Sequence, residues 1–248
     1  KNCVDKTPES ALCQCDLAYN ELLALRFEQA AYHYSEALKY DPATVEAYNG
    51  RGQAYFHLNK IPQALDDFDK AIKSGLSSPK LFLNRGKCLG MLNRSPEALP
   101  DLNRSIELEA KEPQAYFFRG VVYEKSGAAD QALQDYSRAI ELKPDYIEAL
   151  GNRALIRMNA QQYDGAIADY TRALQANPNL VMLYNNRGYA HFKSGNLINA
   201  LEDVNRAISL NPNYGRAYQT RAFINQALGR QDKFQADMQQ AQQLQSGR

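Results

Sequence analysis

The sequence repeats itself at a step of about 34 residues, and this period restricts the possible folds more than any other feature. Residues 113–146 and 181–214 are the clearest copies. An arginine before a small residue recurs at one place of the period: Arg51, Arg85, Arg119, Arg153, Arg187 and Arg221. A unit of this length cannot bury its apolar face alone and must stack on its neighbours. The period therefore predicts a solenoid and not a globular domain around one core.

Each copy has the pattern of two helices separated by a turn. In residues 113–146, Tyr116, Gly120 and Tyr123 fall on one stripe of a first helix. Gly127 is expected to end that helix, because glycine adopts the left-handed conformation without strain. The second helix ends before Pro144. Its apolar stripe consists of Ala132, Leu133, Tyr136, Ala139 and Ile140.

This pattern resembles the tetratricopeptide-repeat family, in a bacterial type with repeated Arg-Gly and Asp places. The alanine that the family carries in its second helix is present as Ala30, Ala64, Ala98, Ala132, Ala166 and Ala200. Its terminating proline is present as Pro42, Pro144, Pro178 and Pro212. Its leading tryptophan is replaced by Tyr48, Phe82, Tyr116, Leu150, Tyr184 and Tyr218. The resemblance implies an all-α, right-handed superhelical solenoid of seven antiparallel helix pairs.

The repeat divides the chain into a short leading segment and one solenoid. Residues 1–10 are polar and are predicted to be a coil. Residues 11–248 are predicted to form a single domain of seven repeats: 11–44, 45–78, 79–112, 113–146, 147–180, 181–214 and 215–248. Pro100 lies inside the second helix of the third repeat, so we expect it to kink or shorten that helix.

An aspartate accompanies the recurring arginine in the second helix of the same six repeats: Asp67, Asp101, Asp135, Asp169, Asp203 and Asp237. The first repeat lacks both partners, with Leu17 and His33 in their places. We predict that each arginine binds its aspartate across the helix pair, since a half-buried guanidinium needs its planar fork paired. The basic residues three positions after five of the aspartates are expected to join this network. A basic ladder for an acidic ligand is the alternative.

In the family that this chain resembles, the first helices line a concave groove. On the matching positions the sequence offers amides, which can bind the backbone of an extended peptide, and apolar side chains, which mark binding sites when polar groups surround them. The predicted groove residues are Asn49, Asn84, Lys87, Phe117, Phe118, Val121, Asn152, Leu155, Asn186, Tyr189, Lys193 and Phe223. The alternative is that the apolar ones pack against neighbouring helices.

Nothing in the sequence indicates catalysis, a metal site or a cofactor. The three histidines are His33, His57 and His191, which lack metal-ligand spacing, and no phosphate-binding glycine loop occurs. The formal net charge of +1 argues against a nucleic-acid partner. No apolar run is long enough to span a membrane. We therefore expect no enzyme activity and no small-molecule substrate, and a partner that is another protein.

The compartment stays open at this level. The chain starts at Lys1 and has three cysteines near that end, Cys3, Cys13 and Cys15. One interpretation is an exported protein, periplasmic or lipid-anchored upstream, in which Cys3 bridges Cys13 or Cys15. The other is a cytoplasmic protein with free thiols.

Taken together, these features predict a non-catalytic scaffold or adaptor. It would bind an extended peptide or a helix of a partner protein in the groove of the first helices. The alternative is a structural module that self-assembles through its ends or its convex face. Function depends on sites and not on folds, so the repeat alone does not choose between them.

Overall fold

The computed structural model describes residues 10–246, and within that range it contains fourteen α-helices and no strand. The helices are α1 (Ala11–Leu23), α2 (Phe27–Tyr40), α3 (Val45–His57), α4 (Ile61–Lys73), α5 (Pro79–Met91), α6 (Ser95–Leu108), α7 (Pro113–Lys125), α8 (Ala129–Leu142), α9 (Ile147–Asn159), α10 (Tyr163–Ala176), α11 (Val181–Lys193), α12 (Leu197–Leu210), α13 (Gly215–Ala227) and α14 (Gln231–Ser246). The fold is thus the all-α superhelical repeat fold that the sequence predicts. None of the described helices is long and apolar enough to cross a bilayer.

The chain forms two compact units, which we call unit one and unit two. Unit one ends at Asp135 and unit two begins at Tyr136, so the division lies inside α8. In unit one, α1 packs on α2, α3 on α4 and α5 on α6, and each second helix also packs on the next first helix. In unit two, α9, α11 and α13 pack in the same way on α10, α12 and α14. A single domain over residues 11–248 stays a prediction.

Small residues in the first helices bring the paired helices close together. A Cβ atom added at Gly86 in unit one would lie 2.8 Å from Leu102 Cγ, and one added at Gly188 in unit two would lie 2.7 Å from Val204 Cγ2. Leu102 and Val204 are both fully buried. The glycine that follows the recurring arginine therefore makes room for an apolar side chain of the second helix.

The recurring arginines bind their aspartates in all six repeats. In unit two, Arg153 donates from Nε and Nη2 to the two carboxylate oxygens of Asp169, at 2.9 and 2.6 Å. The other five pairs join Arg51 to Asp67, Arg85 to Asp101, Arg119 to Asp135, Arg187 to Asp203 and Arg221 to Asp237. The aspartates are buried and the arginines half-buried, so each pair links the two helices of one repeat.

The remaining nitrogen of each guanidinium, Nη1, makes a contact that the sequence pattern does not predict. Arg153 Nη1 donates to Ser137 Oγ at 3.0 Å, and Ser137 belongs to the second helix of the preceding repeat. The equivalent acceptors of the other arginines are Ser35, Asp69, Asn103, Thr171 and Asn205. One guanidinium therefore joins two repeats as well as two helices.

The expectation that the second set of basic residues joins this network is wrong for Lys70, Arg104 and Arg172. Lys70 binds Asp66 and not Asp67, and Arg104 binds Glu107. Arg138 binds Glu141, while Arg172 donates to the backbone carbonyl of Pro144. These side chains are exposed, so they bind the nearest solvated acceptor on their own surface instead of the buried carboxylate.

The turn between the two helices of a repeat contains a left-handed residue in all seven repeats. Gly127 has this conformation as expected, with φ +77°, and so do Gly195 and Gly229. The other four places hold Leu25, Asn59, Asn93 and Gln161, with φ of 57–59°. A side chain in this conformation costs about 1–2 kcal/mol relative to right-handed backbone.

Gln161→Gly is therefore expected to raise the free energy of unfolding by about 0.5–1 kcal/mol, the relief of backbone strain less the greater unfolded-state freedom of glycine. The matched reverse change is Gly195→Gln, which should lower it by a similar amount. No atom lies within 4 Å of a Cβ at Gly195, so only the backbone conformation matters there. Urea denaturation of both variants checks this, and shifts of the same sign would contradict it.

Pro100 does not shorten α6, contrary to one of the two effects expected of it. The helix has 14 residues, like α8, α10 and α12. Its ring is exposed, and the lost N–H bond affects one position only.

At the start of the described chain, Ser10 caps α1 by accepting from Cys13 N at 3.2 Å. The rest of the predicted coil and the Cys3 bridge fall outside the described residues, within which Cys13 and Cys15 are free thiols.

Candidate functional site

The predicted groove residues all lie on first helices, and we call the surface they occupy the first-helix face. Unit one contributes the following: Asn49, Asn84, Lys87, Phe117, Phe118 and Val121. Unit two contributes the others: Asn152, Leu155, Asn186, Tyr189, Lys193 and Phe223.

In unit one, the charged group on the first-helix face is Lys87, whose ammonium is held by two neighbouring side chains. The ammonium of Lys87 lies 4.4 Å from the centre of the Phe118 ring and donates to Gln114 Oε1 at 3.1 Å. Burial lowers the pKa of Lys87, which the charge of Glu112 partly offsets. A cation held over an aromatic face in this way is already satisfied by its own neighbours.

The apolar residues predicted for this face are less available than the sequence suggested. Phe117 is only 9% exposed, and its ring packs edge to face on Phe118 at 5.1 Å between centroids. Phe118 in turn packs on the core of unit one. For Phe117, the packing alternative therefore describes the environment better than an exposed anchor does.

In unit two the first-helix face carries an exposed apolar row. Leu155, Tyr189 and Phe223 occupy one place of the repeat on α9, α11 and α13. They expose 44%, 38% and 37% of their surface. Neighbouring exposed apolar side chains of this kind are typical of a contact surface.

A recess of about 250 Å³ opens beside the first two members of this row. Four of its residues belong to the predicted site, namely Leu155, Asn186, Tyr189 and Lys193, and the other four are Met158, Asn159, Tyr163 and Tyr170. Tyr163 and Tyr170 lie on α10, a second helix, so the pattern of the first helices does not include them. The recurrence of tyrosine at Tyr34, Tyr136 and Tyr170 was the available signal.

The amides of the face meet buried tyrosines of the preceding second helix. Asn152 Nδ2 donates to Tyr136 Oη at 3.2 Å. Asn186 lies in the same relation to Tyr170, whose side chain is fully buried. Burial raises the pKa of Tyr170 to about 12, and the nearby Asn186 amide acts in the opposite direction. Among the described residues no group meets the Tyr170 hydroxyl at normal hydrogen-bond geometry.

The charge at this recess is positive and local. Lys193 is exposed, its ammonium lies 5.9 Å from the Tyr189 ring centre, and it makes no ion pair within residues 10–246. No carboxylate lines the recess. The remaining polar groups are phenol and amide groups, which can donate hydrogen bonds. The arrangement can therefore hold an apolar side chain with an acceptor beside it.

In the part of the chain that the structure describes, no three His, Cys, Asp or Glu side chains come together in a way that could bind a metal ion. His191 lies 4.0 Å from Asp203 Oδ2, and burial lowers the pKa of the imidazole. The absence of enzyme activity stays a prediction.

Tandem helix pairs, with an Arg–Asp ion pair in six of them, define this chain as a helical-repeat protein. Matches to family models identify the family. Models described as TPR repeat or tetratricopeptide repeat match residues 15–79, 113–146, 156–195 and 181–214. The chain belongs to the tetratricopeptide-repeat family. Comparison with curated protein sequences gave no match.

Several solved structures share the fold. A crystal structure of MamA is 25% identical and aligns over 64% of this chain and 94% of its own, with a TM-score of 0.58. A tetratricopeptide repeat protein from Parabacteroides merdae is 18% identical over 94% of this chain and 93% of its own, with a TM-score of 0.67. YrrB, described as a TPR protein with an unusual peptide-binding site, is 24% identical over 88% and 95%, with a TM-score of 0.53.

These likenesses show the fold, and membership of the tetratricopeptide-repeat family supports a general role as a protein-interaction scaffold. They do not name a partner.

Proposed function

We propose that this protein is a non-catalytic adaptor that binds a segment of a partner protein on the first-helix face of unit two. The observation that carries the proposal is the exposed row of Leu155, Tyr189 and Phe223 with its recess. The Asn152 and Asn186 amides flank the row, where they can bind the backbone of an extended segment. YrrB, which has the same fold, is described as a TPR protein with an unusual peptide-binding site.

Unit one is a weaker candidate for the same role. Phe117 is buried, and Lys87 is held by Gln114 and the Phe118 ring. A ligand would have to displace these contacts before making its own. The predicted residues of unit one, Asn49, Asn84, Lys87, Phe117, Phe118 and Val121, therefore stay a secondary part of the proposal.

Self-association is the second candidate function, and one observation favours it. Ile198, in the second helix α12, is 74% exposed. An exposed apolar side chain of this size is available to a second copy of the chain.

The test is affinity capture from the source cell with three forms of the protein: wild type, the double variant Leu155→Asn/Tyr189→Asn, and the control Ile198→Asn. All three substituted side chains are exposed, so the fold should be retained, as circular dichroism melting can check. We expect the double variant to lose the captured partner and the control to keep it. Loss in the control alone, together with a change in sedimentation from oligomer to monomer, would favour self-association.

A further inference from the structure

The apolar row of unit two is uninterrupted, whereas in unit one the polar Gln53 and Lys87 interrupt the same place of the repeat. That place holds Tyr19, Gln53, Lys87 and Val121 in unit one, and Leu155, Tyr189 and Phe223 in unit two. A ligand lying across α9, α11 and α13 would therefore meet one apolar contact on every first helix.

The spacing of this row restricts the ligand. Helix α11 contacts α13, and α9 and α11 line one recess, so the three first helices are neighbours. Packed helices lie about 8–10 Å apart. A chain in polyproline II conformation advances about 3.1 Å per residue and, with three residues per turn, presents every third side chain on the same side. Three residues of an extended ligand therefore cover one step of the row.

A helical ligand fits this face less well. Seven residues of α-helix also cover about 10 Å, but a helix is about 10–12 Å wide. A recess of about 250 Å³ accommodates a single side chain. A helix also satisfies its own backbone groups, so the Asn152 and Asn186 amides would find no backbone partner on it.

The charge adds a second restriction. Lys193 stands at the recess without an ion-pair partner among the described residues, and no carboxylate lines the space. Asn186 adds an amide that can donate hydrogen bonds. A ligand carboxylate beside the residue in the recess would pair with Lys193, whereas a ligand cation there would be repelled.

Resting on the proposed function, we propose that unit two selects an extended segment with a large apolar residue at every third position. The middle apolar residue would be seated at the recess between Leu155 and Tyr189, with an aspartate or glutamate next to it that pairs with Lys193.

The test uses fluorescein-labelled, C-terminally amidated peptides and fluorescence anisotropy with the full chain. The first peptide has three leucines at every third position in a serine and threonine background, with glutamate beside the middle leucine. The second has the same composition with leucines at every second position, and the third carries glutamine for glutamate. We expect the first to bind at least about fivefold more tightly than the second. It should exceed the third by about two- to fivefold, the effect of one exposed ion pair.

Lys193→Gln should remove the preference for glutamate over glutamine and leave the preference for spacing unchanged. Equal binding of the first two peptides would overturn the spacing, and equal binding of the first and third would overturn the carboxylate. If no peptide binds while capture of the cellular partner still depends on Leu155 and Tyr189, this inference fails and the adaptor function stands. If capture is also insensitive to those residues, both fail.

Discussion

Replacement of Arg187 by leucine is expected to lower the free energy of unfolding by about 2–4 kcal/mol, because it leaves a buried carboxylate without its partner. Arg187 donates to both oxygens of Asp203 at 2.8 and 2.6 Å, and this bonding raises the pKa of the guanidinium. After the substitution, the only basic group facing Asp203 in the described chain is His191, whose Nε2 is 4.0 Å away. Thr171 would also lose its donor.

Arg153→Leu is the matched comparison, and it should cost less. Asp169 would keep a second arginine, since Arg157 Nη1 lies 2.7 Å from its Oδ2. We therefore expect a loss of about 1–3 kcal/mol for this variant. The midpoint of urea denaturation measures both effects. An unchanged midpoint in Arg187→Leu would show that the pair does not stabilise the fold.

A double substitution separates the lost attraction from the stranded charge. Arg187→Leu/Asp203→Leu removes both partners, so no unpaired charge remains in the helix interface. We expect it to be more stable than Arg187→Leu alone, because apolar replacement of a buried ion pair is often nearly neutral. A further loss of stability in the double variant would contradict this explanation.

The second large effect concerns helix packing. Gly188→Ala should destabilise the chain by about 1–2 kcal/mol, although alanine favours a helix by about 1 kcal/mol over glycine. The new Cβ would lie 2.7 Å from Val204 Cγ2 and 3.1 Å from the backbone oxygen of Ala200. A backbone atom cannot move aside as a flexible side chain can, so the helices must separate.

Gly151→Ala is the control for this prediction, in the same unit and also in a first helix. Its Cβ would have only Leu183 Cδ2 nearby, at 4.0 Å. With no clash, the helical preference of alanine should raise stability by up to about 1 kcal/mol. Opposite shifts of the two thermal midpoints are the expected result. A loss of stability in both variants would mean that the close contact at Gly188 is not the cause.

The sequence predicted the helix pairs and the Arg–Asp links because both depend on strict repetition. An arginine at the place of Arg153 and an aspartate at the place of Asp169 occur together in six repeats. Few arrangements other than a direct contact explain such a joint pattern. The partners of Lys70 could not be predicted in this way. Asp66 and Asp67 both lie within reach along the helix, and exposure decides between them.

The exposure of the predicted site residues could not be predicted from the sequence, for a geometric reason. Phe117 and Phe118 are adjacent in sequence, but successive residues of a helix point about 100° apart, and only Phe117 is turned fully inward. The recess of unit two combines side chains from α9, α10 and α11. A pattern read along one helix at a time does not reveal a space that three helices enclose.

The two kinds of bond made by each arginine also suggest how such a chain gains or loses length. A break between α11 and α12 would separate Arg187 from Asp203, whereas a break just before α11 costs Arg187 only its bond to Thr171. The helix pair is therefore the natural unit of duplication and deletion, because each copy contains its own ion pair. The junction before α5 differs, since Asp69 gives Arg85 a second carboxylate there. A rearrangement at that junction would separate Arg85 from Asp69 and leave a charge unbalanced beside the new neighbour. The junction before α5 is therefore the least interchangeable of the six.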